Sequence, residues 1–330
     1  MIEQLSKMAQ QTADKHQDAW KQLILGIGDD AAAYFSNNEI QLATVDSLVQ
    51  DVHFSLSYIS WQELGWKSIA VNLSDIAAMG GFPRYALVSL GLPGNTAVEN
   101  VIDLYQGMFD IAGKFGVAIV GGDTVSSSFI FISVTVIGSS GVKNRGMLKR
   151  SAAKPGDKIA VTNSLGASAG GLEMLRNNLK FSPKLSKQLR QAHLTPNPRV
   201  SEGQVLVEKG VKCGMDISDG LIGDLTHICQ ESKVGAQINI DLVPVTSAVK
   251  KCFGQQALEM ALTGGEDYEL LFTASPQVMN RVIKAIQRPV TVIGEIMGAK
   301  AGKVTLIDSA GKIINTEKAG WDHFGTKMKE

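Results

Sequence analysis

The chain has little of what usually fixes a small protein or announces its chemistry. Its 330 residues hold three cysteines, Cys213, Cys229 and Cys252, in no C-x-x-C spacing. That excludes a disulfide frame or a thiolate zinc site and fits free thiols in a reducing compartment. There is no excess of one charge, since 32 Lys and Arg balance 32 Asp and Glu, so no field favours nucleic acid. No apolar run approaches the roughly 18 residues of a membrane helix. The N-terminal stretch, with Glu3, Lys7 and several Gln, has no apolar signal-peptide core. A cytoplasmic protein with neither membrane nor nucleic-acid partners is expected. His16, His53, His193, His227 and His323 are scattered and form no H-E-x-x-H or Ser-His-Asp pattern, so nucleophilic hydrolysis finds no support. The glycine-rich phosphate loops are missing too: there is no G-x-x-x-x-G-K-[ST], no G-x-G-x-x-G after a strand, and no H-R-D with D-F-G. A nucleotide enzyme built on this chain must hold phosphates chiefly through metal ions.

What is present is a series of Gly- or Ser-flanked aspartates. Gly26-Ile27-Gly28-Asp29-Asp30-Ala31-Ala32 is followed by Thr44-Val45-Asp46-Ser47, Asn72-Leu73-Ser74-Asp75, Gly121-Gly122-Asp123-Thr124 and Met215-Asp216-Ile217-Ser218-Asp219-Gly220. Each follows an apolar run, where a rigid scaffold hands a side chain to a cleft. Taken singly, such stretches are turn formers and helix caps. If they converge, carboxylates about 4 Å apart repel by roughly 4 kcal/mol per pair at an effective dielectric near 20, and the cluster needs cations. Oxygen-only donors select hard ions, and Mg²⁺ held by a few carboxylates completes its shell with substrate phosphates. A Mg-nucleotide site is the first expectation.

The length and a 44% hydrophobic, 19% charged composition predict two domains of about 150 residues, each with its own core. Residues 1 to 23 read as a polar helical lead-in. Ile40 to Val45 reads as a strand ending at Asp46, Trp61 to Met79 as a helix carrying Asp75 near its end, and Tyr85 to Leu92 as a strand. Val98 to Phe115 reads as an amphipathic helix, Val117 to Val120 as a short buried strand and Phe129 to Ile137 as a β-branched strand. Ser139 to Asp157, with Lys143, Arg145, Lys149, Arg150 and Lys154, is the linker candidate. Beyond it come a strand at 158–162, helices from Leu172, over 183–192 and over 200–210, and a strand at 211–215. A helix over Leu221 to Glu231 would be N-capped by Ser218 or Asp219. Gly264-Gly265-Glu266-Asp267 is a tight turn before a strand at 268–273, and a helix at 277–286 and strands near 291–295 and 303–308 close the chain.

The strings G-I-G-D-D-A-A, V-N-L-S-D-I-A-A-M-G, G-G-D-T, R-S-A-A-K-P-G-D, D-I-S-D-G-L and G-G-E-D-Y-E-L, in this order from about Gly26 to Phe324, resemble the thiamine-monophosphate kinase family. Its superfamily also holds aminoimidazole ribonucleotide synthetase, selenophosphate synthetase and a hydrogenase maturation factor. The resemblance implies an N-terminal α+β domain (1–148) that binds ATP and Mg²⁺ and dimerises through its strands into a barrel. It also implies a C-terminal α/β domain (149–330), with ATP in the cleft between, and a homodimer. The implied activity is ATP-dependent phosphorylation of thiamine monophosphate to thiamine diphosphate by direct in-line transfer. The alternative is a sister ATPase of the same superfamily; a selenophosphate synthetase would want a reactive N-terminal Cys, and none precedes Cys213.

Carried over position by position, the family's metal ligands fall on Asp30, Thr44, Val45, Asp46, Asp75, Asp123, Asp216 and Asp219. Its ATP contacts fall on Gly122, Asp123, Arg150, Ser218 and Tyr105, and its thiamine-phosphate contacts on His53, Glu266 and Trp321. Arg150 and Asp216 would be the catalytic pair. Family members often carry Ser-Thr-Asp where this chain has Thr44-Val45-Asp46, so position 45 could reach a metal only through its backbone carbonyl. Val125 likewise stands where a Thr is common.

Overall fold

The computed structural model describes residues 23–25, 29–36, 39–140, 146–298 and 301–314. The N-terminal lead-in and Trp321 therefore lie outside the described residues. The chain divides into two compact units, one of residues 1–149 with 198–208, the other of 150–197 with 209–330. Among the described residues no helix is long and apolar enough to cross a membrane.

The first unit is a six-stranded sheet with helices on one face. Its strands are β1 (Leu23–Leu25), β2 (Ala32–Ser36), β3 (Glu39–Val49), β4 (Phe82–Leu92), β5 (Ala118–Ser126) and β6 (Phe131–Ser139), in the order β1-β2-β3-β6-β4-β5. All neighbours are antiparallel except β4 and β5. Helix α1 (Trp61–Ala78) starts with a reciprocal capping box between Ser60 and Glu63, which satisfies two of the orphan donors at its N-terminus. It packs on α2 (Val98–Phe115) closely enough that a Cβ on Gly65 would sit 1.8 Å from the Leu104 carbonyl oxygen and one on Gly107 1.8 Å from that of Gln62. The reciprocal glycines set this helix spacing. Ala86, Val88, Leu90, Ile132, Val134 and Val136 fill the covered face of the sheet and are almost fully buried.

Two strand expectations are corrected here. Asp46 lies inside β3 rather than at its end, because β6 continues the pairing through Val49. The short buried strand expected at 117–120 is the exposed strand β5, which carries Gly121-Gly122-Asp123-Thr124 within it. Among the described residues it pairs on one edge only, with β4, and its side chains are left exposed. The sheet formed by the described residues is open, with β1 and β5 as its edges.

The second unit is a seven-stranded mixed sheet of β7 (Lys158–Thr162), β8 (Cys213–Asp216), β9 (Gly235–Asn239), β10 (Leu270–Ala274), β11 (Val290–Met297), β12 (Val304–Ile307) and β13 (Ile313–Ile314), ordered β13-β12-β9-β11-β7-β10-β8. Only β9 and β12 run parallel, so the unit is α+β in character rather than the α/β domain expected. Its helices are α3 (Ala167–Arg176), α4 (Pro183–Leu194), α6 (Leu221–Glu231), α7 (Ser247–Phe253), α8 (Ala257–Thr263) and α9 (Pro276–Ala285); α5 (Val200–Glu208) belongs to the first unit. Helix α3 begins five residues before the expected Leu172, since Gly166 in a left-handed conformation opens it. The core runs from Ile159 and Val161 through Met215, Leu225 and Ile228 to Leu271 and Ile293. The C-terminal ends of β7 and β8 and the start of β10, antiparallel to both, lie at one end of the sheet.

Candidate active site

In the first unit the aspartates sit where helix α1 meets the sheet. Asp30 and Asp75 place carboxylate oxygens within 4.8 Å of each other, and Asp30 is 8% exposed. Two charges at that range repel by roughly 3 to 4 kcal/mol at an effective dielectric near 20. The Thr44 hydroxyl donates to Asp75 Oδ2 at 2.5 Å, a charge-assisted bond that partly offsets the cost of an acid on an otherwise buried helix. Next along β3, the Asp46 N–H donates to Asn72 Oδ1 at 3.0 Å, and the buried Asn72 in turn donates to the Ser68 carbonyl. Helix α1 thus fixes β3 at both residues by two side chains three positions apart on one face, Asn72 and Asp75. Asn72 was not singled out from sequence, although it lies in the N-L-S-D string.

Strand register sorts the remaining residues of this unit. Asp46 pairs with Val134, Val134 with Val88, and Val88 with Gly122, in one row across four strands. A Cβ on Gly122 would meet the Val88 carbonyl oxygen at 1.8 Å, so this position must be glycine. Asp123 falls in the next row with Ser89, Ser133 and Ser47, and a 3.0 Å hydroxyl bond between Ser47 and Ser133 marks their shared face. Val45 projects 60% exposed. His53 accepts the Val49 N–H on Nδ1 at 3.1 Å, which puts the proton of its neutral ring on Nε2. Tyr105, on α2, stands 6.1 Å from the Phe109 ring, and burial raises its pKa.

In the second unit, two loops at the shared end of β8 and β10 are tied to each other. The Glu266 N–H donates to the Ser218 carbonyl at 2.8 Å and the Tyr268 N–H to the Ile217 carbonyl at 2.9 Å. Contact is tight: a Cβ on Gly265 would lie 2.4 Å from the Ser218 oxygen. Glu266 and Tyr268 both hold positive φ, 66° and 49°, conformations that cost of order 1 to 3 kcal/mol each outside glycine and persist where surroundings impose them.

The expected N-cap of α6 is corrected by this geometry. Gly220 holds that position, with no side-chain cap bond. Instead Asp224, in the helix's first turn, accepts the N–H groups of Ser218, Asp219 and Gly220 on Oδ2 at 3.1, 3.2 and 3.0 Å. The amides of the D-I-S-D-G turn are therefore taken up internally, and the turn presents side chains rather than an amide nest. Asp224 is 1% exposed. Burial raises its pKa well above the usual range, and the charges of Asp219 and Asp216 add to this; the Gly220 amide and the Arg150 guanidinium oppose it. Arg150 begins a 3₁₀ turn whose own carbonyl is held by the Ser232 hydroxyl at 2.7 Å. Arg150 is thus anchored in the second unit rather than carried on a linker.

Asp267 points back from the turn and accepts the Gly166 and Ser168 N–H groups at 2.6 and 3.1 Å, capping α3. Burial pushes its pKa up to about 7. Glu269 binds the Thr162 hydroxyl and the Asn163 amide. His193, from α4, places Nδ1 3.0 Å from Ser168 Oγ and 3.3 Å from Glu266 Oε2. Asp224, Asp267 and His193 were not singled out from sequence. The signal for Asp224 was an acid in the first turn of a helix following D-I-S-D; His193 carried none.

Two family models cover the chain: the AIR synthase related protein N-terminal domain matches residues 28–140 and its C-terminal domain residues 154–307. The thiamine-monophosphate kinase of Bacillus subtilis (strain 168) is 38% identical over 91% of this chain and 93% of its own length. That of Escherichia coli (strain K12) is 38% identical over 92% of each. A solved structure described as AaThiL complexed with AMPPCP and TMP superposes with a TM-score of 0.82 at 33% identity, covering 97% of this chain and 96% of that one. A hydrogenase maturation protein HypE in complex with ATP, 20% identical with a TM-score of 0.68, shares the fold alone. On a match of this depth over about nine tenths of the chain, the chain belongs to the thiamine-monophosphate kinase family of AIR synthase related proteins.

Proposed function

We propose that this protein transfers the γ-phosphoryl group of ATP to thiamine monophosphate, giving thiamine diphosphate and ADP by direct in-line attack. The observation that carries the reading is kinship over nine tenths of the chain with enzymes of this name, together with a solved relative described with AMPPCP and TMP. The acceptor is itself a phosphate. With a second pKa near 6 it is largely dianionic at pH 7, so it attacks without a general base, which accords with the absence of any His-centred nucleophile pattern. The demand is positive charge to align two anions. Arg150, with a planar guanidinium suited to bidentate phosphate binding, is assigned to the transferring group.

The paired Asp30 and Asp75 carboxylates and the Thr44 hydroxyl beside them are an all-oxygen donor set of the kind hard divalent ions take, so Mg²⁺ fits. Asp30, Thr44, the Val45 carbonyl, Asp46, Asp75, Asp123, Asp216 and Asp219 are the proposed ligands. Mg²⁺ there would neutralise phosphate charge as it moves to the bridging oxygen. Gly122, Asp123, Ser218 and Tyr105 are assigned to ATP. His53, Glu266 and Trp321 are assigned to thiamine monophosphate, whose cationic thiazolium suits a carboxylate and an aromatic face. In this reading residues 1–148 form the nucleotide, metal and dimerisation domain and residues 149–330 the C-terminal domain, in a protein of the cytoplasm.

A homodimer through the first sheet is part of the proposal. Its uncovered face carries Val45, Tyr85, Leu87 and Val125 exposed on an open sheet, and pairing two such sheets into a barrel would remove the open edges. Leu87→Glu with Val125→Glu should give a monomer by sedimentation, and an unchanged sedimentation coefficient would refute that interface. The reaction is tested by ADP release. Release that requires thiamine monophosphate supports the kinase reading; release with an unrelated acceptor, or none, would move the protein to a sister activity.

A further inference from the structure

The ring of His193 is 2% exposed, yet its neighbours are polar: Ser168 Oγ at 3.0 Å and Glu266 Oε2 at 3.3 Å, both on Nδ1. A carboxylate at that distance favours the proton on Nδ1, where it is shared between carboxylate and hydroxyl. The surroundings are built to put the ring there. Helices α3 and α4 approach so closely that a Cβ on Gly171 would lie 2.9 Å from the His193 Cβ and 2.2 Å from the Leu189 carbonyl oxygen. Asp267, the next residue after Glu266, pins the same turn to the α3 N-terminus through Gly166 and Ser168. Ser168 is therefore held by Asp267 through its amide while its hydroxyl meets the ring. The Glu266 backbone is held at positive φ, and its side chain, 27% exposed, touches both the buried ring and solvent.

We propose that His193 is a positioning residue for the acceptor: buried behind Glu266, it fixes that carboxylate in one orientation, with Ser168 fixing the ring. This rests on the assignment of Glu266 to thiamine monophosphate. A Glu side chain at a partly exposed turn otherwise spreads over several rotamers, and ordering it on binding weakens the affinity by several-fold. Pre-ordering by the ring moves that cost into folding. The effect is expected on acceptor affinity and not on ATP.

The test is a double-mutant cycle between His193→Leu and Glu266→Gln, with KM measured for each substrate. His193→Leu should raise the KM for thiamine monophosphate about tenfold, leave the KM for ATP within about twofold, and have little further effect in the Glu266→Gln background. His193→Asn, whose amide nitrogen can stand where Nδ1 stood, should recover part of the loss. Should His193→Leu fail to fold, Ser168→Ala removes only the hydroxyl and should raise the same KM by a smaller factor, again only while Glu266 is present. An equal rise for both substrates, or an undiminished effect of His193→Leu or Ser168→Ala in the Glu266→Gln background, overturns the proposal. If Glu266→Gln alone leaves the acceptor KM unchanged, the assignment of Glu266 fails instead.

Discussion

Glu266 donates its backbone N–H to the carbonyl of Ser218 at 2.8 Å, so the turn assigned to the acceptor and the turn assigned to the nucleotide are one hydrogen-bonded unit. No side chain is needed at Gly265 for this, and none is tolerated. In Gly265→Ala the new methyl would lie 2.4 Å from the Ser218 oxygen, a backbone atom that yields only if the turns separate. We expect kcat/KM to fall at least tenfold for both substrates. Near-native kinetics would show that the two turns act independently.

The acid pair in the first unit gives a sharper expectation. Asp30→Asn and Asp75→Asn each remove a charge from a pair within 4.8 Å, which relieves repulsion while deleting a hard ligand. Both variants should fold with unchanged or raised Tm and lose turnover by more than about a hundredfold at millimolar Mg²⁺. Thr44→Val, which loses only the hydroxyl donated to Asp75, should keep kcat at saturating Mg²⁺ but require more of the ion. Either Asn variant turning over normally would remove that residue from the ligand set.

Asp267 makes stability depend on pH in a stated direction. Burial pushes its native pKa up to about 7 from the ordinary aspartate value of 3.8, so between these values the folded chain holds a proton that the unfolded chain has lost. Stability from this group is present at low pH and falls as pH rises through about 4 to 7. The Gly166 and Ser168 amides bond different oxygens of Asp267, so Asp267→Asn keeps an acceptor for only one of them, which costs stability equally at every pH, and it has no proton to lose. The Tm of the variant relative to wild type should therefore rise between about pH 5 and pH 8. A constant difference across that window would show that Asp267 is ionised in the native state throughout.

Arg150→Lys should be far from conservative. An ammonium keeps the charge that faces Asp224 but not the planar fork. The expected loss is one to two orders of magnitude in kcat with little change in Tm. A normal kcat with only a raised KM for ATP would demote Arg150 to ground-state binding.

Much of this molecule is legible along the chain. Val98–Phe115, Lys158–Thr162 and Leu221–Glu231 form as their periodicity dictates, because a stripe of apolar residues at one period decides both the element and its buried face. The D-I-S-D-G and G-G-E-D turns stand at element ends as their glycines require. Local signals fail where a partner far along the chain sets the outcome. Only the pairing with β6 carries β3 past Asp46, and only the pairing with β4 places Gly121 to Val125 in an exposed strand. Only the packing of α3 on α4 brings His193, 25 residues from Ser168, against that hydroxyl and the Glu266 carboxylate. Asp224 looks like an ordinary first-turn acid until folding turns three amides onto one of its oxygens. Sequence alone determined most of the elements, because apolar periodicity is local. Which buried polar groups meet one another was decided by tertiary contacts, because a hydrogen bond between distant residues leaves no periodicity to read.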